Sequence, residues 1–201
     1  MLIGPKQDQA FSEILREYED GYDANFLFLD STLLKAAKIN SRNGVSFFSS
    51  RRWRKDMKPL QISALRNLKL QPQEKGIQVI ARQVAELAVT ITNGRPYDFV
   101  SNVPGGSSGR LWNFAALIAY FVAKELDAPL QQPLIGSSLA RCRSSHPKQS
   151  ELFRPHYREA SLAGDFGLLV DDVATSGVHF EKCVDLLRKR GKSVVCVSWI
   201  S

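Results

Sequence analysis

Two adjacent carboxylates, two hydroxyls and a glycine fall within seven residues of this chain, in the stretch Asp171-Asp172-Val173-Ala174-Thr175-Ser176-Gly177. Each type has its own use. A carboxylate repels a phosphate, so Asp171 and Asp172 suit a ribose diol, a cation, or both. Thr175 and Ser176 offer hydroxyl donors to an anion, and Gly177 lets the backbone approach one with no Cβ in the way. One end of the segment suits a sugar and the other a phosphate.

The flanking elements must hold these groups at one point. The apolar run at 168–170 reads as a parallel strand buried on both faces, and 178–190 reads as a helix. A helix entered between Thr175 and His179 leaves its first amides unpaired, with the positive end of the helix dipole behind them. Ala174, Thr175, Ser176, Gly177, Val178 and His179 therefore make a candidate phosphate-binding turn. The plainer reading of the same residues is a pair of turn carboxylates with Thr175 as an N-cap. At the far end, Arg188, Lys189 and Arg190 complement the dipole and Gly191 stops the helix.

The same grammar recurs upstream. A strand is predicted over 97–103, after the turn signal Asn93-Gly94-Arg95-Pro96, and a helix over 111–126 carries Phe114, Ala115, Ile118 and Val122 at helical spacing. Between them, Gly105, Gly106, Ser107, Ser108, Gly109 and Arg110 form a loop of small residues whose amides can wrap an anion. Further strands are predicted over 130–135 and 193–200, and a helix over 73–89 places Ile77, Ile80, Ala81, Val84 and Ala88 on one face. The polar, cationic stretch 136–165 reads equally as a lid and as a solvated loop. His146 and His156, ten apart, lack companions at metal-ligand spacing.

The strand, Asp171-Asp172, the hydroxylated turn and Gly177 together resemble the PRPP-binding motif of type I phosphoribosyltransferases (PRPP, 5-phosphoribosyl 1-diphosphate). His179 departs from it, because the family commonly has Thr there. Within the family, 60–201 is most similar to ComF-type proteins, in Trp112-Asn113-Phe114-Ala115, in Ser145-His146-Pro147-Lys148-Gln149, and in Leu152 and Arg158 before the motif. ComF proteins often begin with a cysteine zinc module, whereas residues 1–60 here contain no cysteine. The resemblance implies an α/β fold, a phosphoribosyltransferase-type, Rossmann-like parallel sheet flanked by helices, with a core over 61–201. It implies that Gly105 to Arg110 contact pyrophosphate, that Asp171, Asp172 and Arg110 act in catalysis, and that Mg²⁺ enters with the ligand rather than on direct protein ligands. The implied reaction is attack of a base nitrogen on the anomeric carbon of PRPP as pyrophosphate leaves, by way of an oxocarbenium-like transition state. A homodimer is common for such folds.

Composition bounds the partners. The chain has 201 residues, 44% of them hydrophobic, and a net charge of +7, which favours anionic partners without separating phosphorylated metabolites from nucleic acid. No apolar run approaches a membrane span and the start is polar, so a cytoplasmic protein without membrane partners is expected. Three cysteines, Cys142, Cys183 and Cys196, have neither CxxC spacing nor an even count, and the latter two read as buried thiols.

Residues 1–60 read as a small α+β appendage: helix over 8–19, extended over 25–29 and 45–48, with a short helix at 32–38 between. Type I enzymes carry a hood that selects the base, and this segment is the candidate, with Phe47, Phe48 or Trp53 available to stack on a ring. The run Arg51-Arg52-Trp53-Arg54-Lys55 is also the strongest nucleic-acid candidate, against the simpler reading of a solvated turn. Three functions thus stand: a Mg²⁺-dependent phosphoribosyltransferase, a catalytically idle PRPP or nucleotide sensor, and a nucleic-acid-associated accessory protein of a larger complex.

Overall fold

A computed structural model describes residues 22–105, 113–136, 153–158 and 162–201. In chain order it contains α1 (Ala24–Thr32), β1 (Lys38–Arg42), β2 (Val45–Arg51), α2 (Lys58–Leu70), α3 (Glu74–Thr92), β3 (Phe99–Asn102), α4 (Phe114–Glu125), β4 (Leu134–Gly136), β5 (Pro155–Tyr157), β6 (Phe166–Val173), α5 (Val178–Arg188) and β7 (Ser193–Ile200). Five strands form one sheet in the order β1-β2-β7-β6-β3, parallel throughout except for the antiparallel pair β1 and β2. The expected α/β architecture, a mostly parallel sheet between helices, is what the chain adopts.

The sheet is covered on both faces because its central strands are apolar on both. Leu168 and Val170 of β6, with Val197 and Trp199 of β7, pack in a cluster with α1, α2, α3 and α4. Leu169 and Cys196, their neighbours of opposite parity, pack with Phe47, Phe180, Val184 and Leu187, which brings α5 onto the other face. Cys183 and Cys196 are free and buried, as expected. No helix among the described residues is long and apolar enough to cross a membrane.

Three local expectations are corrected. Residues 25–29, expected to be extended, lie in α1, because the Asp23 carboxylate accepts the amides of Asn25 and Phe26 at 2.8 and 3.0 Å and starts a helix that buries Phe26 and Leu29. The helix expected over 32–38 does not form: α1 stops at Thr32 and β1 begins at Lys38. The strand expected over 130–135 is reduced. Leu130 makes one parallel bridge to Val100 at the sheet edge, and Leu134–Gly136 pairs instead with Pro155–Tyr157 in a separate antiparallel ribbon. The helix expected over 8–19 lies outside the described residues.

Residues 38–51 turn at Asn43-Gly44, both at positive φ (46° and 76°), the chemistry of a two-residue hairpin in which Arg42 pairs with Val45. This hairpin extends the central sheet through β2, which runs parallel to β7. Inside that joint the hydroxyls of Ser49 and Ser198, fully buried and directly opposite in register, lie 2.7 Å apart.

Candidate functional site

The parallel strands end at a common edge, and the connections after β3 and β6 leave in opposite directions: β3 leads through α4 to the Leu130 bridge beyond β3, while β6 leads through α5 to β7 on its other side. A parallel α/β sheet offers its ligand crevice at such a reversal, outside the carboxyl ends of the strands. Both loops singled out from the sequence emerge there.

Asp171 and Asp172 directly precede Val173, the last residue of β6, and each carboxylate accepts the amide that follows it: Asp172 N–H to Asp171 Oδ1 at 2.9 Å and Val173 N–H to Asp172 Oδ1 at 2.7 Å. Asp171 is buried, and burial, then the Asp172 charge beside it, raises its pKa well above the ordinary carboxylate value. Asp172 is partly exposed and ion-paired with Lys69 Nζ, from the last turn of α2.

The chain leaves the sheet at Ala174, whose amide is held by the Ile200 carbonyl at 2.9 Å. Thr175 and Ser176 are exposed, Gly177 caps α5 at φ 71°, and the helix proper begins at Val178. The cap is therefore Gly177, not Thr175. A Cβ at Gly177 would stand 2.3 Å from Cε1 of Phe47, so glycine is required here by space as well as by conformation. Residues 173–180 form a small cradle around the first turn of α5, with Thr175, Ser176, Gly177 and His179 in its wall.

His179 is the residue that departs from the family pattern. Its ring packs 4.3 Å from that of Phe153, its Nε2 is buried with no hydrogen-bond partner among the described residues, and burial lowers its pKa to about 4. The ring is neutral at pH 7 and carries an unused polar atom at the junction of two hollows. The second hollow, a cleft of about 220 Å³, is bounded by Lys69, Gly105, Asn113, Asp171, Asp172 and His179.

Asn113 is a site residue that the sequence reading placed but gave no role. It caps α4 by accepting the Ala116 amide at 2.8 Å, and its Nδ2 donates to the Val103 carbonyl at 3.1 Å, so the two ends of the glycine loop are tied together. Gly105 sits against this side chain. Residues 106–110, which include Gly106, Ser107, Ser108, Gly109 and Arg110, lie outside the described residues. Lys69 was missed altogether, since no helix was expected over 58–70 and a lone lysine there carries no sign of a carboxylate partner about a hundred residues on.

The basic run is not a uniform cationic face. Arg51 donates to the Ser50 carbonyl at 3.2 Å and approaches Asp30 at 3.9 Å, while Arg54 is held by Asp56 at 2.6 Å. Arg52 and Lys55 are exposed, and Trp53 is half-buried, its amide fixed by the Ser201 carbonyl at 3.2 Å. Among the described residues no group of three or more His, Cys, Asp or Glu is placed to hold a metal.

No protein-family model matches the chain. No curated protein matches it either. Among solved structures, the hypoxanthine phosphoribosyl transferase of Trypanosoma cruzi aligns with 62% of this chain and 63% of its own, at 16% identity and a TM-score of 0.39. A hypoxanthine phosphoribosyltransferase from Staphylococcus aureus aligns over 62% of each chain, at 16% identity and a TM-score of 0.38. The orotate phosphoribosyltransferase of Aeropyrum pernix aligns with 86% of this chain and 77% of its own, at 17% identity and a TM-score of 0.37. The chain spans less than two thirds of the length of the two hypoxanthine enzymes, at 63% and 62%.

Proposed function

We propose that this chain is a PRPP-dependent phosphoribosyltransferase that requires Mg²⁺. One observation carries the reading: Asp171 lines two hollows of different chemistry, an amide- and hydroxyl-lined cradle at the start of α5 and a cleft, lined also by Asp172, that reaches the start of the glycine loop. PRPP has a monophosphate at one end, a diphosphate at the other and a ribose diol between, and the order of groups along the site matches it. The similarity to ComF-type proteins rests on the sequence features alone and is part of the same proposal.

In this reading the amides of the first turn of α5, with Thr175 and Ser176, hold the 5-phosphate, and the neutral His179 ring donates one hydrogen bond from Nε2 to a phosphate oxygen. Asp172, steered by Lys69, accepts from the ribose hydroxyls. Asp171 sets the orientation of its neighbour from beneath. The acceptor nitrogen then attacks C1, the C1–O bond breaks with its electron pair leaving on the diphosphate, and the nitrogen loses its proton to solvent. Charge develops positively on the ribose and negatively on the diphosphate, so placement and electrostatics are the protein's contribution.

The donor set fits a cation that arrives on the ligand. Two neighbouring carboxylates, one already paired with a lysine, do not make a protein-held site. Magnesium bound to the diphosphate would neutralise the leaving group.

Calorimetric titration of PRPP with and without Mg²⁺, on wild type and on the Asp171→Asn, Asp172→Asn double variant, tests the proposal. Magnesium-dependent binding that is lost in the double variant supports it. Absence of binding by wild type sinks it, and binding without pyrophosphate release across an acceptor screen leaves the sensor reading in its place.

A further inference from the structure

A third hollow, of about 150 Å³, opens beside the two already described and shares Lys69 with the cleft, Thr175 with the cradle and Val173 with both. Its position follows from that sharing. Lys69, the ion-pair partner of Asp172, and Val173 line both this hollow and the cleft, so a ligand bound here lies beside the proposed ribose site.

Its lining has a definite chemistry. One wall is a single face of α2, since Lys58, Ile62, Leu65, Arg66 and Lys69 follow one another at helical intervals. Trp53 faces them from the segment after β2, half-buried and fixed through its backbone to Ser201. Ile62 and Leu65 give an apolar floor, and the indole gives a flat one, so a planar ring fits the hollow. Lys58 and Arg66 are exposed, and among the described residues neither forms an ion pair, whereas Lys69, Arg51 and Arg54 are each matched to a carboxylate. Two unmatched cations at the mouth of an aromatic and apolar slot select for negative charge on the ring's edge.

We infer that this hollow is the acceptor site and that the acceptor is an anionic, planar ring, a carboxylate-bearing heteroaromatic rather than a neutral base. The inference rests on the proposed PRPP chemistry for its purpose, and on Trp53, Lys58 and Arg66 for its specificity. Arg66 engages the carboxylate in two parallel hydrogen bonds, Lys58 adds a point charge, and the ring lies against Trp53 with its nucleophilic nitrogen toward Thr175 and Asp172. The transfer releases a proton and pyrophosphate, as in the general reaction.

Matched ring pairs that differ in one carboxylate provide the test: nicotinate against nicotinamide and orotate against uracil, each with PRPP and Mg²⁺, followed by pyrophosphate release and by calorimetry. At least one acid should be bound or consumed, with its neutral partner weaker by about tenfold or more. The Lys58→Ala, Arg66→Ala double variant should lose that preference while binding PRPP as wild type does, and Trp53→Ala should weaken the acid and its amide alike. Equal use of acid and neutral partner, or an unchanged preference in the double variant, overturns the inference while leaving the PRPP reading intact. Failure of wild type to bind PRPP overturns the underlying reading instead, and it is registered in the same titrations before any acceptor is added.

Discussion

Lys69 at the end of α2 forms an ion pair with Asp172 at the end of β6, so a helix that the sequence reading did not anticipate supplies the counter-charge to one of the two carboxylates that it did. The pair fixes the direction of the Asp172 side chain beside Asp171. Lys69→Met should weaken PRPP binding about tenfold, equivalent to about 1.4 kcal/mol, with Lys69→Arg much closer to wild type. Calorimetry on the two variants checks this; a Met variant that binds normally would remove Lys69 from the site.

Asp171 is held at a cost to the fold. Its pKa is raised first by burial and then by Asp172, so between the ordinary carboxylate range and its folded value the unfolded chain releases the proton first, and stability falls as pH rises through that window. Asp171→Asn removes the titration and keeps the acceptor oxygen for the Asp172 amide. Thermal melts at pH 7.5 should show it more stable than wild type by about 2–4 °C, with weakened PRPP binding. A lower melting temperature would contradict the assignment.

His179 acts in the opposite sense. Its pKa is lowered to about 4, chiefly by burial, whereas the unfolded ring titrates near 6.5. As pH drops through 6.5 the unfolded chain takes up the proton first, and the destabilisation builds until about pH 4, reaching about 3 kcal/mol. Urea midpoints measured from pH 7 to pH 4.5 should decline less in His179→Thr than in wild type. Parallel declines would place the acid sensitivity elsewhere.

Gly177→Ala should cost about 2 kcal/mol or more and abolish phosphate binding, because the new methyl meets Phe47 and the residue is at φ 71°. Relieving the clash with Phe47→Leu should restore part of the stability lost, leaving the backbone strain. A double-mutant cycle in denaturant reads the coupling, and additive losses would refute the contact.

What the sequence displayed and what it hid follow from how local each signal was. The strand, turn and helix around Asp171 to Arg188 are set by residues adjacent in the chain, so they could be read directly, as could the amphipathic face of α3. In α1, Phe26, Phe28 and Leu29 have the composition of a strand, and the deciding interaction is the Asp23 cap together with burial of Phe26 and Leu29 against the helices beside them. Asn43-Gly44 was a visible hairpin signal that the reading passed over. Lys69 could not have been found in that way, and Trp53 could be named as a ring-stacking candidate but not placed, because each joins the site only through the packing of α2 and β2 beside the end of β6.

The buried contact between Ser49 and Ser198 fixes more than two hydroxyls. A one-residue slip of β2 along β7 would turn its core face to solvent and is excluded by patterning, but a slip of two residues keeps every side chain on its own face. Such a slip would set Ser49 opposite Cys196 or Ile200, stranding its hydroxyl in a dry interface at about 1–3 kcal/mol. It would also carry Trp53 about 7 Å along the sheet, past the hollow that it lines. A pair of serines in the sheet interior thus fixes where Trp53 stands along the hollow that it lines.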